Sequence, residues 1–184
     1  MQEYYDRASE CSSFTLCIMG KDPYPQDAIG VPFCKPDWES MIADNCSGYH
    51  VLKSLGIFRD EQSLERLRNL YSQPIEIFLK LLDLGIVFIN LSNVFVGEVI
   101  RKGRHREHLV DTLDLNKPIL DKSDHVILCG EAWKHTWYGD WDDSFYFVVH
   151  PDIRNRNKPQ TSTWWTCWWG SNALVELLGL DLEI

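Results

Sequence analysis

No run of apolar residues in this chain approaches the ~20 that a membrane-spanning helix needs, so no membrane partner is expected. The stretch Met1 to Ser13 is polar and lacks the apolar centre of a secretory signal, which predicts a cytoplasmic protein. Basic residues are also short: 18 Lys and Arg face 27 Asp and Glu, a formal net charge of −9. A surface of that sign argues against strong non-specific nucleic-acid binding by the whole protein, while leaving room for a local basic patch. The six cysteines, at 11, 17, 34, 46, 129 and 167, form no C-x-x-C pair and no Cys/His spacing of the zinc kind. Nor are they clustered as iron–sulfur ligands are. No metal, cofactor or disulfide framework is therefore expected, and Cys17 and Cys129, inside apolar runs, are expected to be small buried thiols. Repeats, low-complexity segments and linkers are absent as well, so residues 1–184 are expected to form one domain, acting as a monomer.

What is present is a repeated alternation. Four apolar, β-branched or aromatic runs read as strands: Phe14–Met19, Ile86–Leu91, His125–Cys129 and Phe145–Val149. Between them lie helical patterns. Glu61 to Tyr71 has apolar residues at helical spacing, and Pro74 opens a helix that runs to Leu84, with Gly85 beyond its end. His105 to Lys122 reads as a helical segment interrupted by Pro118, and Ser171 to Leu178 as a final helix. Strands alternating with helices predict an α/β fold: a single three-layer domain with a short central parallel sheet flanked by helices on both faces. Gly30 to Gly56 is the least regular stretch and is expected to wrap one edge of the site.

Each strand candidate is followed by a polar residue of catalytic type. After Phe14–Met19 comes the loop Gly20-Lys21-Asp22-Pro23-Tyr24-Pro25, in which Pro23 keeps Asp22 out of helical conformations on a stiff support. Asn90 closes the second run, Gly130-Glu131 follows the third, and His150-Pro151 ends the fourth. The carboxyl ends of parallel strands share one edge of a sheet, so Asp22, Asn90 and His150 are expected to converge there. Taken singly, each has an ordinary explanation: an Asx-turn, a strand-end cap, a surface imidazole. Three in order at equivalent strand ends point to a site.

These elements resemble the uracil-DNA glycosylase superfamily, and within it the branch of the uracil excision enzymes. The matching residues are Gly20-Lys21-Asp22-Pro23-Tyr24-Pro25 with Phe33 downstream, the apolar strand ending in Asn90, His150-Pro151, and Asn172-Ala173-Leu174 at the last helix. The chain departs from the family pattern at Lys21, where Gln is usual, and at Pro25, where His is usual. It also reads Asp152-Ile153-Arg154 where a Ser-Pro-Leu run usually follows His-Pro, so Arg154 stands at the place of the wedging leucine.

The resemblance implies a monofunctional glycosylase that flips a base out of DNA and hydrolyses its N-glycosidic bond through an oxocarbenium-like sugar. Asp22 would stabilise that cation and orient or deprotonate water. His150 would donate a hydrogen bond to the pyrimidine O2 as charge collects there. Asn90 would read the base edge with its amide, Phe33 would stack on the base, and Tyr24 would close the pocket against C5 and so exclude thymine. For Phe33 and Tyr24, core packing is the competing role.

Two basic runs stand out against the acidic background. Arg154, Arg156 and Lys158 follow His150, and Arg101 and Arg104 follow the Asn90 strand; both are expected at the DNA rim, with solvated loops as the plain alternative. Trp164, Trp165, Trp168 and Trp169 cluster before the last helix, either as core or as a stacking platform for a base or a sugar. Two rival functions follow. One keeps the reaction but changes the base to a hydroxymethylated or glucosylated cytosine of phage DNA, in antiviral defence, motivated by the altered motif and the tryptophans. The other is a catalytically silent DNA- or protein-binding member, against which the joint presence of Asp22, Asn90 and His150 counts.

Overall fold

The computed structural model describes residues 2–21, 27–43, 45–92, 116–130, 132 and 143–182. In chain order its elements are α1 (Gln2–Glu10), β1 (Phe14–Gly20), α2 (Trp38–Met41), α3 (Ser47–Ser54), α4 (Glu61–Leu70), α5 (Pro74–Asp83), β2 (Ile86–Asn90), α6 (residues 116–120), β3 (Ser123–Cys129), β4 (Phe145–Val148), α7 (Ile153–Arg156), α8 (Ser162–Trp169) and α9 (Ala173–Leu178). The architecture is α/β, a four-strand, all-parallel central sheet with helices, consistent with the three-layer domain expected. The strands fall where the apolar runs placed them, their ends moving by no more than two residues. Two compact units can be distinguished: Met1–Pro32 with Leu81–Phe147, and Phe33–Lys80 with Val148–Ile184. Among the described residues no helix is long and apolar enough to cross a membrane.

The first unit holds the sheet apart from Val148 at the end of β4, in strand order β2-β1-β3-β4. β1 pairs with β2 so that Gly20 lies opposite Asn90, and with β3 so that Met19 lies opposite Leu128. Every residue of β1 except Thr15 is buried, and so is all of β2. Strands covered on both faces need a continuous apolar sequence, which is why they were legible as runs rather than as alternations. Cys17 and Cys129 are fully buried within them, and burial pushes both thiols well up from the ordinary cysteine range.

Because β2 lies at the end of the strand order, its outer N–H groups have no strand to pair with among the described residues. Tyr4 of α1 supplies an acceptor: the Phe88 N–H donates to its hydroxyl at 2.8 Å. Tyr4 and Ala8, one turn apart, form the buried face of α1, and Arg7 pairs with Asp83 at the surface. The sequence predicts a helical segment interrupted by Pro118. Residues 105–115 lie outside the described residues, but α6 runs through Pro118 without a break, and the Asp121 N–H reaches the Lys117 carbonyl at 2.9 Å.

The second unit contains α2, α3, α4, α7, α8 and α9. The stretch from Gly30 to Gly56, expected to be irregular, carries two of these helices. Asp37 caps α2 by accepting from the Ser40 N–H at 2.8 Å, and Asp60 and Ser63 form a reciprocal capping box on α4. The Trp38 indole donates to the Tyr71 carbonyl at 2.7 Å, tying α2 to the end of α4.

Candidate functional site

Asp22, Tyr24, Arg101 and Arg104 lie outside the described residues. The others can be built up within the unit that carries them.

In the first unit, Asn90 closes β2 and is 6% exposed. Its backbone carbonyl accepts from the Asn116 side chain at 2.7 Å, which holds the strand end. Among the described residues, its own side-chain amide makes no hydrogen bond. A buried amide whose donor and acceptor find no partner among the described residues can serve a group that presents both an acceptor and a donor. The register that sets Asn90 opposite Gly20 also places it beside the strand that leads into Lys21 and Asp22.

In the second unit, His150 follows β4 by two residues and is held on several sides. The Trp169 indole donates to the Val149 carbonyl at 2.7 Å, and the Asn155 side chain donates to the His150 carbonyl at 3.0 Å. The Asp152 N–H faces the imidazole Nδ1 at 3.3 Å. With Nδ1 accepting, the neutral ring carries its proton on Nε2, which is left as a donor. Burial is the largest influence on the ring and pulls its pKa down to about 4; Asp152 opposes this and Arg154 reinforces it.

Phe33 is the residue brought next to His150, with ring centroids 6.4 Å apart and planes tilted by 39°. It is buried, and its φ of +64° is a left-handed conformation that a bulky side chain rarely adopts. Gly48 on α3 explains how that turn is accommodated: a Cβ there would lie 1.8 Å from the Phe33 carbonyl oxygen. Only a glycine lets the helix approach this closely. Neither Gly48 nor the Trp169 and Asn155 anchors carried a functional signal in the sequence. The tryptophan cluster was visible, but not which ring anchors the strand end.

The basic run lies on and after α7. Arg154 is 82% exposed in its side chain, yet it is paired with Asp152, whose carboxylate takes Nε at 2.9 Å and Nη2 at 2.5 Å. That guanidinium is the main cause holding the Asp152 carboxyl below its ordinary range. The charge of Arg154 is therefore largely offset by its own neighbour. Arg156 lies over the Trp165 ring, 5.7 Å from its centroid, and Lys158 is exposed. Among the described residues no group of three or more His, Cys, Asp or Glu is placed to hold a metal ion.

The state of His150 gives a stability effect of definite sign. Unfolded, the imidazole takes a proton near pH 6.5; folded, only near about 4. As pH falls below 6.5 the unfolded chain binds a proton that the folded chain refuses, so stability declines until about pH 4 and levels off below it. The full decline is at most about 3 kcal/mol, reduced by the ring's partial exposure. Urea unfolding at about pH 7 and about pH 4.5 checks this. His150→Gln should lose clearly less stability between the two, and an equal loss would place the titration on another group.

No protein-family model matches the chain, and no curated protein matches it.

Proposed function

We propose that the protein is a monofunctional DNA glycosylase acting on a non-canonical pyrimidine, uracil by default. In this reading the C1′–N1 bond breaks with its electron pair going to the base, and water supplies the oxygen that bonds to C1′. Asp22 stabilises the cationic sugar and takes the water proton. The base leaves as an anion whose O2 is met by the Nε2–H of His150. The observation that carries the reading is the pairing of a neutral imidazole, its Nδ1 already occupied by the Asp152 N–H, with the ring of Phe33. A flat heterocycle that gains negative charge on one oxygen suits an aromatic face and a fixed donor together. Asn90, whose side-chain amide has no hydrogen-bond partner among the described residues, would read the base edge in the same reading.

The deciding experiment is base release from DNAs carrying uracil, thymine mismatches, hydroxymethylcytosine or glucosylated hydroxymethylcytosine. Release of uracil bears the reading out. Release of a modified cytosine alone keeps the reaction and changes the substrate to the phage-DNA base, and release from none of them refutes the enzyme.

The basic run adds an expected result in binding. Each phosphate contact on duplex DNA contributes about −0.9 to the slope of log affinity against log salt. Arg156→Ala with Lys158→Ala should flatten that slope by up to about 1.8. Arg154→Ala should flatten it less, because Asp152 already compensates that charge. An unchanged slope in the double variant would move the DNA face away from α7.

A further inference from the structure

We propose that α8, together with the basic run of α7, is a stacking platform for an unpaired base, which makes the protein select single-stranded over duplex DNA. The inference rests on the glycosylase reading in taking DNA as the ligand, and it concerns binding rather than chemistry.

The four tryptophans of α8 divide by position. Trp165 and Trp169 are buried, Trp165 edge-on to His50 at 5.0 Å and Trp169 anchored on Val149. Trp164 is 50% exposed, and Trp168, one turn further along the same face, is partly exposed. Thr161, one turn before Trp164, donates its hydroxyl to the Asn155 carbonyl at 2.6 Å. The N–H groups of Thr161 and Ser162 bond to the Lys158 carbonyl at 3.0 and 2.9 Å. These bonds fold the start of α8 back on the end of α7, so the exposed rings continue directly from the basic segment.

Charge decides the kind of partner. From residue 153 to residue 175 the chain has no Asp or Glu, while Arg154, Arg156 and Lys158 all fall in that span, in a protein of net charge −9. With Arg154 offset by Asp152, Arg156 and Lys158 remain as cations in a span without acids that leads into the exposed Trp164. Cations next to an indole face complement a strand whose phosphates and bases are both accessible. A duplex hides its base faces in the stack and can use only the cations. Arg156, lying over the Trp165 ring, is held at the boundary between the two.

The test uses the full-length protein and DNA containing only ordinary bases, so no release occurs and a failure of the glycosylase reading leaves the result intact. Anisotropy titrations compare a labelled oligothymidylate of about ten nucleotides with a duplex of the same length. Trp164→Ala should weaken single-strand binding about fivefold or more and change duplex binding less than twofold. Trp164→Phe should recover most of the loss, since a phenyl face still stacks. No loss in Trp164→Ala, or an equal loss on both DNAs, would overturn the platform. So would unchanged DNA binding accompanied by a shift in sedimentation, which would make the exposed rings a contact between protein copies.

Discussion

Asp22→Asn should remove nearly all base release, with single-turnover rates under saturating enzyme falling on the order of a hundredfold or more. The substitution conserves shape and deletes one charge. Its effect therefore isolates electrostatic stabilisation of the cationic sugar and activation of water from any packing role. The fold should be unaffected. DNA binding should hold or tighten slightly, because one negative charge is withdrawn from the vicinity of phosphates. Some catalysis should survive through the His150 Nε2–H and the leaving base, which share the stabilisation of charge. A rate equal to that of the unaltered protein would remove Asp22 from the mechanism and with it the glycosylase assignment.

The second large effect is expected from a residue with no chemistry of its own. In Gly48→Ala the new methyl would meet the Phe33 carbonyl oxygen at 1.8 Å, the Met41 Cε at 2.6 Å and the Phe33 carbonyl carbon at 2.9 Å. The methionine end can swing aside, but the Phe33 carbonyl belongs to a backbone already at φ +64°. Either α3 retreats or the Phe33 turn opens, and overpacking of this kind destabilises by about 1–3 kcal/mol, at times more. Gly179 is the natural control. Unlike Gly48 it has a positive φ, of 63°, and a Cβ there meets nothing within 4 Å, so Gly179→Ala should show only conformational strain, about 1 kcal/mol, with no overpacking. Urea midpoints of the two variants make the comparison. If Gly48→Ala is no worse than Gly179→Ala, the close approach does not hold the Phe33 turn. If it is worse, base release from variant protein that still folds should fall more than that of Gly179→Ala, because the ring beside His150 has moved.

Both expectations show how unevenly the site could be read. Asp22, Asn90 and His150 were legible as candidates because the apolar runs that read as parallel strands end at residues of catalytic type. What orients them was not. The tautomer of His150 follows from a backbone N–H two residues on, and its lowered pKa from burial, neither of which leaves a pattern in a linear sequence. In the sequence Arg154 reads as a free cation just past His150. Its pairing with Asp152 depends on α7 forming, with Asp152 as the cap that accepts from the Arg154 N–H at 2.8 Å.

The same division runs through the fold. The sequence by itself determined the four strands, because segments covered on both faces must be apolar throughout. It also determined α4, α5 and α9, whose ends carry local signals such as the Asp60–Ser63 capping box, Pro74 in a first turn and Gly179 in the left-handed region. Only the tertiary structure decided α1, α2, α3, α7 and α8. The longest of these has nine residues, too few to be stable in water on propensity alone; α1, α2, α3 and α8 each bury side chains, whereas α7 buries none and rests on its Asp152 cap. That burial separates Trp165 and Trp169 from Trp164 and Trp168, four like residues that no local rule distinguishes, and it makes Gly48 necessary where a helix meets the carbonyl of Phe33.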